Sequence, residues 1–91
     1  MSKIRMSVVF FGDVQGVGFR YTANYAAQRY GLTGWVHNEF DGSEACEVQG
    51  EPEGIDRWFQ TIQSGRFIQI DRIEKRELTV LEDERSFQVW Y

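Results

Sequence analysis

A chain of 91 residues has room for one domain, spanning 1–91, which buries roughly two-thirds of its unfolded surface. Hydrophobic residues at 42% and aromatics at 15% supply a core and exclude a disordered chain. The net charge of −4 argues against a general nucleic-acid binder and offers anions no long-range attraction. An anion site in this chain has to work through local geometry.

The elements follow in chain order. From Lys3 to Phe11, Ile4, Met6, Val8 and Phe10 alternate with Arg5, Ser7, Val9 and Phe11, the period of a strand. Phe19, Thr22, Ala23, Ala26 and Tyr30 fall on one face of a helix over 19–30, and Gly31 is placed as its stop. Trp35 to Asn38 reads as a second strand, Asp41-Gly42 as a turn, and Ser43 to Gln49 as the returning strand. Glu51-Pro52-Glu53 opens a second helix, with proline early and acids in the first turn, where the helix dipole favours them. Its buried stripe is Ile55, Trp58, Phe59 and Ile62, ending at Gly65. Two alternating stretches, about 68–81 and 86–91, complete the chain. The order β-α-β-β-α-β, with a closing strand segment, predicts an α+β ferredoxin-like split βαβ sandwich: an antiparallel sheet with two helices on one face.

The lone Cys46 has no disulfide partner and no zinc-site spacing around it, which fits a reducing, cytoplasmic setting. No run approaches the ~20 apolar residues of a membrane span, and the N-terminal stretch lacks the apolar core of a secretory signal. Neither a membrane nor a nucleic acid is expected as a partner, and a compact monomer is the default.

The densest chemical signal is Gly12-Asp13-Val14-Gln15-Gly16-Val17-Gly18-Phe19-Arg20, between the first strand and the first helix. Such a turn lets successive backbone N–H groups converge at a helix N-terminus, where the dipole also favours an anion. Arg20 adds a planar fork of donors suited to two phosphate oxygens. The glycines do not match the dinucleotide fingerprint, and no G-K-[ST] closes a Walker loop.

Val14-Gln15-Gly16-Val17-Gly18-Phe19-Arg20, then Gly34-Trp35-Val36-His37-Asn38, then Asp41-Gly42 and Gly50, resembles the acylphosphatase family along essentially the whole chain. The resemblance implies an enzyme that hydrolyses small acyl phosphates to a carboxylate and inorganic phosphate, the latter a product and inhibitor. It implies that the backbone amides of Gln15, Gly16, Val17, Gly18, Phe19 and Arg20 hold the phosphate. It also implies that the Arg20 side chain binds the phosphate and Asn38 positions the attacking water, with no metal and no organic cofactor.

His37 sits beside Asn38, but strand alternation turns it to the opposite face, so a surface role is expected. Cys46 is expected as a small buried filler of the third strand, and the charge runs 71–77 and 82–85 as solvated surface. Three residues depart from the family pattern. Asp13 stands where a basic residue is common, placing negative charge beside the anion site. Glu44 replaces an apolar strand residue, which predicts a frayed strand start or an unusual register. Trp90 replaces a common arginine and removes electrostatic support from that end. The competing function is a nucleic-acid platform built from Phe11, Trp35 and Trp90 on the helix-free sheet face, although the aromatic and basic signature of an RNA-recognition domain is missing.

Overall fold

The computed structural model describes residues 2–91. The chain runs β1 (Ile4–Asp13), α1 (Phe19–Arg29), β2 (Thr33–Asn38), β3 (Glu44–Gly50), α2 (Pro52–Gln63), β4 (Gln69–Leu78) and β5 (Phe87–Trp90). The strands form one sheet in the order β4-β1-β3-β2-β5. Three neighbouring pairs are antiparallel, whereas β5 lies parallel to β2, with Val36 opposite Val89. The fold is α+β and ferredoxin-like, and the expected all-antiparallel sheet is corrected to a mixed one. The reason lies in the connections. β2 runs parallel to β1 because α1 returns the chain between them, and residues 79–86 reverse the chain after β4 and carry it to the far edge beside β2.

Inward residues of β1, β2 and β3 alternate as the pleat requires, so Val8, Phe10, Val36, Cys46 and Val48 are buried under the helices. From α1, Phe19, Ala23, Ala26 and Ala27 face this layer, and from α2, Ile55, Trp58 and Ile62 do so. Phe59, predicted in the α2 stripe, is only partly buried, at the border of the core. Phe10 meets Phe19 edge-on at 4.9 Å and Trp58 at 5.8 Å, the arrangement that aromatic quadrupoles favour. Trp58 Nε1 donates to the Ala23 carbonyl at 3.0 Å, which satisfies the indole and ties α2 to α1. Among the described residues, no helix is long and apolar enough to cross a membrane.

The second face of the sheet is not wholly solvated. Arg5 points to that face and is nonetheless buried. Its guanidinium donates to Glu47 at 2.9 Å, to Gln49 at 3.1 Å and, as a fork, to Glu84 at 2.7 and 3.1 Å. Gln49 in turn donates to the Leu81 carbonyl and accepts from the Leu81 N–H. The crossing segment thereby covers this part of the sheet, and Glu84, expected as solvated surface, is corrected to a partner in a largely buried ion pair.

Candidate active site

The β1–α1 turn occupies the end of the sheet where β2 stops and β3 begins. Gly16 and Gly18 sit at φ 74° and 81°, left-handed values that an L side chain adopts only with strain. Gly18 is the N-cap of α1 and has no side chain to fill the space in front of the helix. The first backbone bond of α1 runs from the Thr22 N–H to the Gly18 carbonyl at 3.0 Å. The amides of Phe19, Arg20 and Tyr21 are therefore without helical partners, as at any helix start. Among the described residues, no backbone carbonyl takes the amides of Gln15, Gly16, Val17 or Gly18 in hydrogen-bonding geometry. The turn thus presents a run of free donors at the positive end of a helix.

The Gln15 side chain braces this turn. Its Nε2 donates to the Glu39 carbonyl at 2.7 Å and the Ser43 carbonyl at 2.9 Å, tying the turn to the β2–β3 connection. That connection is itself closed by Asp41, whose Oδ1 accepts from the Ser43 hydroxyl and N–H at 2.6 and 2.9 Å. These bonds hold the Asp41 carboxyl below the usual carboxylate range.

A cleft of about 360 Å³ opens between the turn and the sheet, lined by Gly16, Gly18, Arg20, Asn38, Glu44 and Tyr91 among others. Phe19 lines it too, while its ring enters the core. Gln15 and Val17 do not line it; Val17 lies half-buried in the turn. The structure therefore brings Gly16, Gly18, Phe19, Arg20 and Asn38 to one cleft and places Gln15 as a brace. Arg20 is steered from the C-terminal side: its Nη1 donates to the Trp90 carbonyl at 3.1 Å, and the Tyr91 ring lies 4.6 Å from the guanidinium carbon. Trp90 brings no positive charge in place of the family's arginine, but its main-chain carbonyl holds Arg20.

Glu44 is the main residue that the sequence reading misplaced. It is neither frayed nor out of register: it is the first residue of β3, 1% exposed, paired with Phe10 on β1 and Asn38 on β2. In the amide orientation that satisfies both groups, Asn38 Nδ2 donates to Glu44 Oε1 at 2.9 Å and also reaches Oε2, so Asn38 Oδ1 is turned away from the carboxyl. Burial pushes the Glu44 carboxyl up to about 7, against the opposing pull of the Arg20 and His37 charges and with some help from Glu39. Strand parity carries the signal that would have found it, since Glu44, Cys46 and Val48 share the inward face. Tyr91 and the Trp90 carbonyl left no comparable signal, because a backbone acceptor exists at every position.

The other singled-out residues fall outside the cleft. His37 points to the opposite face and pairs with Glu39 at 2.8 Å, half-exposed. Cys46 is fully buried, and burial raises its thiol far above the usual range. Asp13 is exposed at the end of β1, opposite Gln69, and does not line the cleft. Phe11, Trp35 and Trp90 do share the helix-free face. However, Trp35 and Trp90 stack on each other at 4.5 Å, and the Arg72 guanidinium sits 4.0 Å above the Phe11 ring.

A family model described as Acylphosphatase matches residues 6–89. The chain is 38% identical over 88 residues to an acylphosphatase of Geobacillus thermodenitrificans, covering 96% of this chain and 94% of the relative. The crystal structure of acylphosphatase from Bacillus subtilis matches with a TM-score of 0.89 at 29% identity, over 97% of this chain and 99% of that one. An acylphosphatase structure from Coxiella burnetii matches with a TM-score of 0.86, also at 29% identity, over 97% and 93% of the two chains. The chain belongs to the acylphosphatase family of enzymes.

Proposed function

We propose that this chain hydrolyses the carboxyl–phosphate bond of small acyl phosphates, with the cleft between the β1–α1 turn and Asn38 as the active site. The observation that carries this reading is the convergence of free turn amides, Arg20 and Asn38 on one cleft. Amides of the 15–20 turn, of which Gly16, Gly18, Phe19 and Arg20 line the cleft, and the Arg20 fork bind the three terminal phosphoryl oxygens, where charge is spread in the transition state. Asn38, its Nδ2 engaged by Glu44, offers Oδ1 to a water O–H and leaves a water lone pair aimed at phosphorus. The water oxygen bonds to phosphorus as the bond to the acyl oxygen breaks, and that electron pair leaves with the carboxylate. The water's proton passes to a phosphoryl oxygen, so a dianionic acyl phosphate yields a carboxylate and dihydrogen phosphate. A carboxylate leaves readily, so the reaction requires no strong general acid. Inorganic phosphate, which fits the same donors, competes with substrate.

The test is steady-state hydrolysis of a chromogenic benzoyl phosphate by the wild type, Arg20→Ala and Asn38→Ala. Arg20→Ala is expected to lower kcat/KM by about 10²–10³, through both KM and kcat. Asn38→Ala is expected to lower kcat by about 10²–10³ while KM stays within about threefold. Unchanged kcat in Asn38→Ala would remove the water-positioning role. Absence of hydrolysis by the wild type would overturn the proposed activity.

A further inference from the structure

Among the described residues, Glu44 is the one buried carboxyl in the cleft wall, and the proposed hydrolysis gives it only the holding of Asn38. Its surroundings decide what its charge does. From α1, Arg20 faces it; from β2 and the turn beyond come Asn38, His37 and Glu39; from β3 comes the neutral thiol of Cys46. On β1 its neighbour is Phe10, and β5 adds Val89 and then Tyr91 to the cleft, with Tyr21 on its rim. Among the described residues, Arg20 is the only cation lining the cleft, and it also serves the anion site. An ionised Glu44, itself buried in the cleft wall, and a bound phosphoryl group would then share one guanidinium. Like charges at such separations repel strongly when the intervening medium is protein rather than solvent.

Accepting the cleft as the phosphoryl site, we infer that Glu44 makes anion binding proton-linked: the cleft takes up a tetrahedral dianion with the Glu44 carboxyl neutral and rejects it when that carboxyl ionises against Arg20. The neutral carboxyl keeps a carbonyl oxygen able to accept from Asn38 Nδ2, so the water-positioning orientation is compatible with the binding-competent state. Its O–H is in addition a donor in the cleft wall, of the kind a phosphoryl oxygen accepts. The ionised state lacks that donor and occupies the Arg20 charge. Burial holds the carboxyl neutral up to about pH 7, so the switch falls within the range in which the protein can be assayed.

Sulfate is the suitable probe, because it remains a dianion across this range and any pH dependence belongs to the protein. Its inhibition constant against benzoyl phosphate and its direct calorimetric affinity are measured from pH 6 to 8.5 for the wild type, Glu44→Gln, Glu44→Val, His37→Gln and Arg20→Ala. Wild-type affinity is expected to fall by about 30-fold over this interval, the full linkage of one proton titrating near 7. Glu44→Gln, whose amide mimics the neutral carboxyl, should change less than about twofold; if it does not fold, Glu44→Val carries the same expectation. Calorimetry at pH 8 in buffers of different ionisation enthalpy should show close to one proton taken up per sulfate by the wild type and none by the Glu44 variant. His37→Gln should keep the wild-type slope. A flat wild-type profile, a slope retained without Glu44, or a slope lost in His37→Gln would each overturn the inference. Arg20→Ala separates the two levels. Wild-type sulfate affinity in that variant would overturn the cleft as the phosphoryl site, whereas weak binding in Arg20→Ala with a retained slope in Glu44→Gln would overturn the Glu44 role alone.

Discussion

Glu44 illustrates how one residue can conflict with its environment and still be held in register. Its backbone pairs on both sides, with Phe10 and Asn38, and strand alternation leaves its side chain no direction but inward. The conflict appears in its proton affinity, which burial raises from an ordinary value near 4.5 to about 7. A carboxyl with a raised folded-state pKa binds more protons folded than unfolded in this window, so stability falls as pH rises through it. The contribution is fully present below about pH 4.5 and is lost as pH passes 7, amounting to up to about 3 kcal/mol. Glu44→Gln is therefore expected to be about 1–3 kcal/mol more stable than wild type at pH 8, with the difference vanishing near pH 4.5. Urea denaturation across pH 4.5–8 checks this, and a pH-independent difference would contradict it. The sequence alone marked Glu44 as out of place. It did not show the consequence, because an acidic residue at a strand start is equally compatible with a frayed end or a shifted register.

At the scale of elements, both helices were legible because the 3.6-residue period of Phe19, Ala23 and Ala26, and of Ile55, Trp58 and Ile62, has no strand counterpart. The β1–α1 turn was equally legible, since the left-handed backbone at Gly16 and Gly18 leaves its trace in residue type. The Arg5 network was not. Alternation says which face a strand residue takes, not what lies over that face, and Arg5 is covered by residues 79–86, far along the chain. Removing one partner of a buried ion pair leaves the others desolvated and uncompensated. Arg5→Ala is expected to destabilise the protein by about 3–5 kcal/mol, exposing Glu47 and Glu84 to mutual repulsion. Arg5→Met paired with Glu84→Gln should recover much of that loss. Chemical denaturation of the two variants decides it, and a loss under about 1 kcal/mol in Arg5→Ala would show that the network contributes little.

Across the whole molecule, the site is assembled from segments that meet only through sheet order. The β1–α1 turn, the facing ends of β2 and β3, and the end of β5 converge because β5 crosses to the far edge and runs parallel beside β2. Two of these contributions were readable from the residues of Gly16–Arg20 and Gly34–Asn38. The third was not, because Arg20 is held by a main-chain carbonyl at Trp90 and an aromatic face at Tyr91, neither of which has a fixed sequence offset from the turn. With a net charge of −4, the molecule provides no general attraction for an anionic substrate, so the proposed activity rests on this local convergence. The central consequence of the proposed hydrolysis is that phosphorus, not the acyl carbon, receives the water. Hydrolysis of benzoyl phosphate in ¹⁸O-labelled water, with both products analysed by mass spectrometry, measures this directly. The label is expected in inorganic phosphate and absent from benzoate; enzyme-dependent label in benzoate would contradict the account.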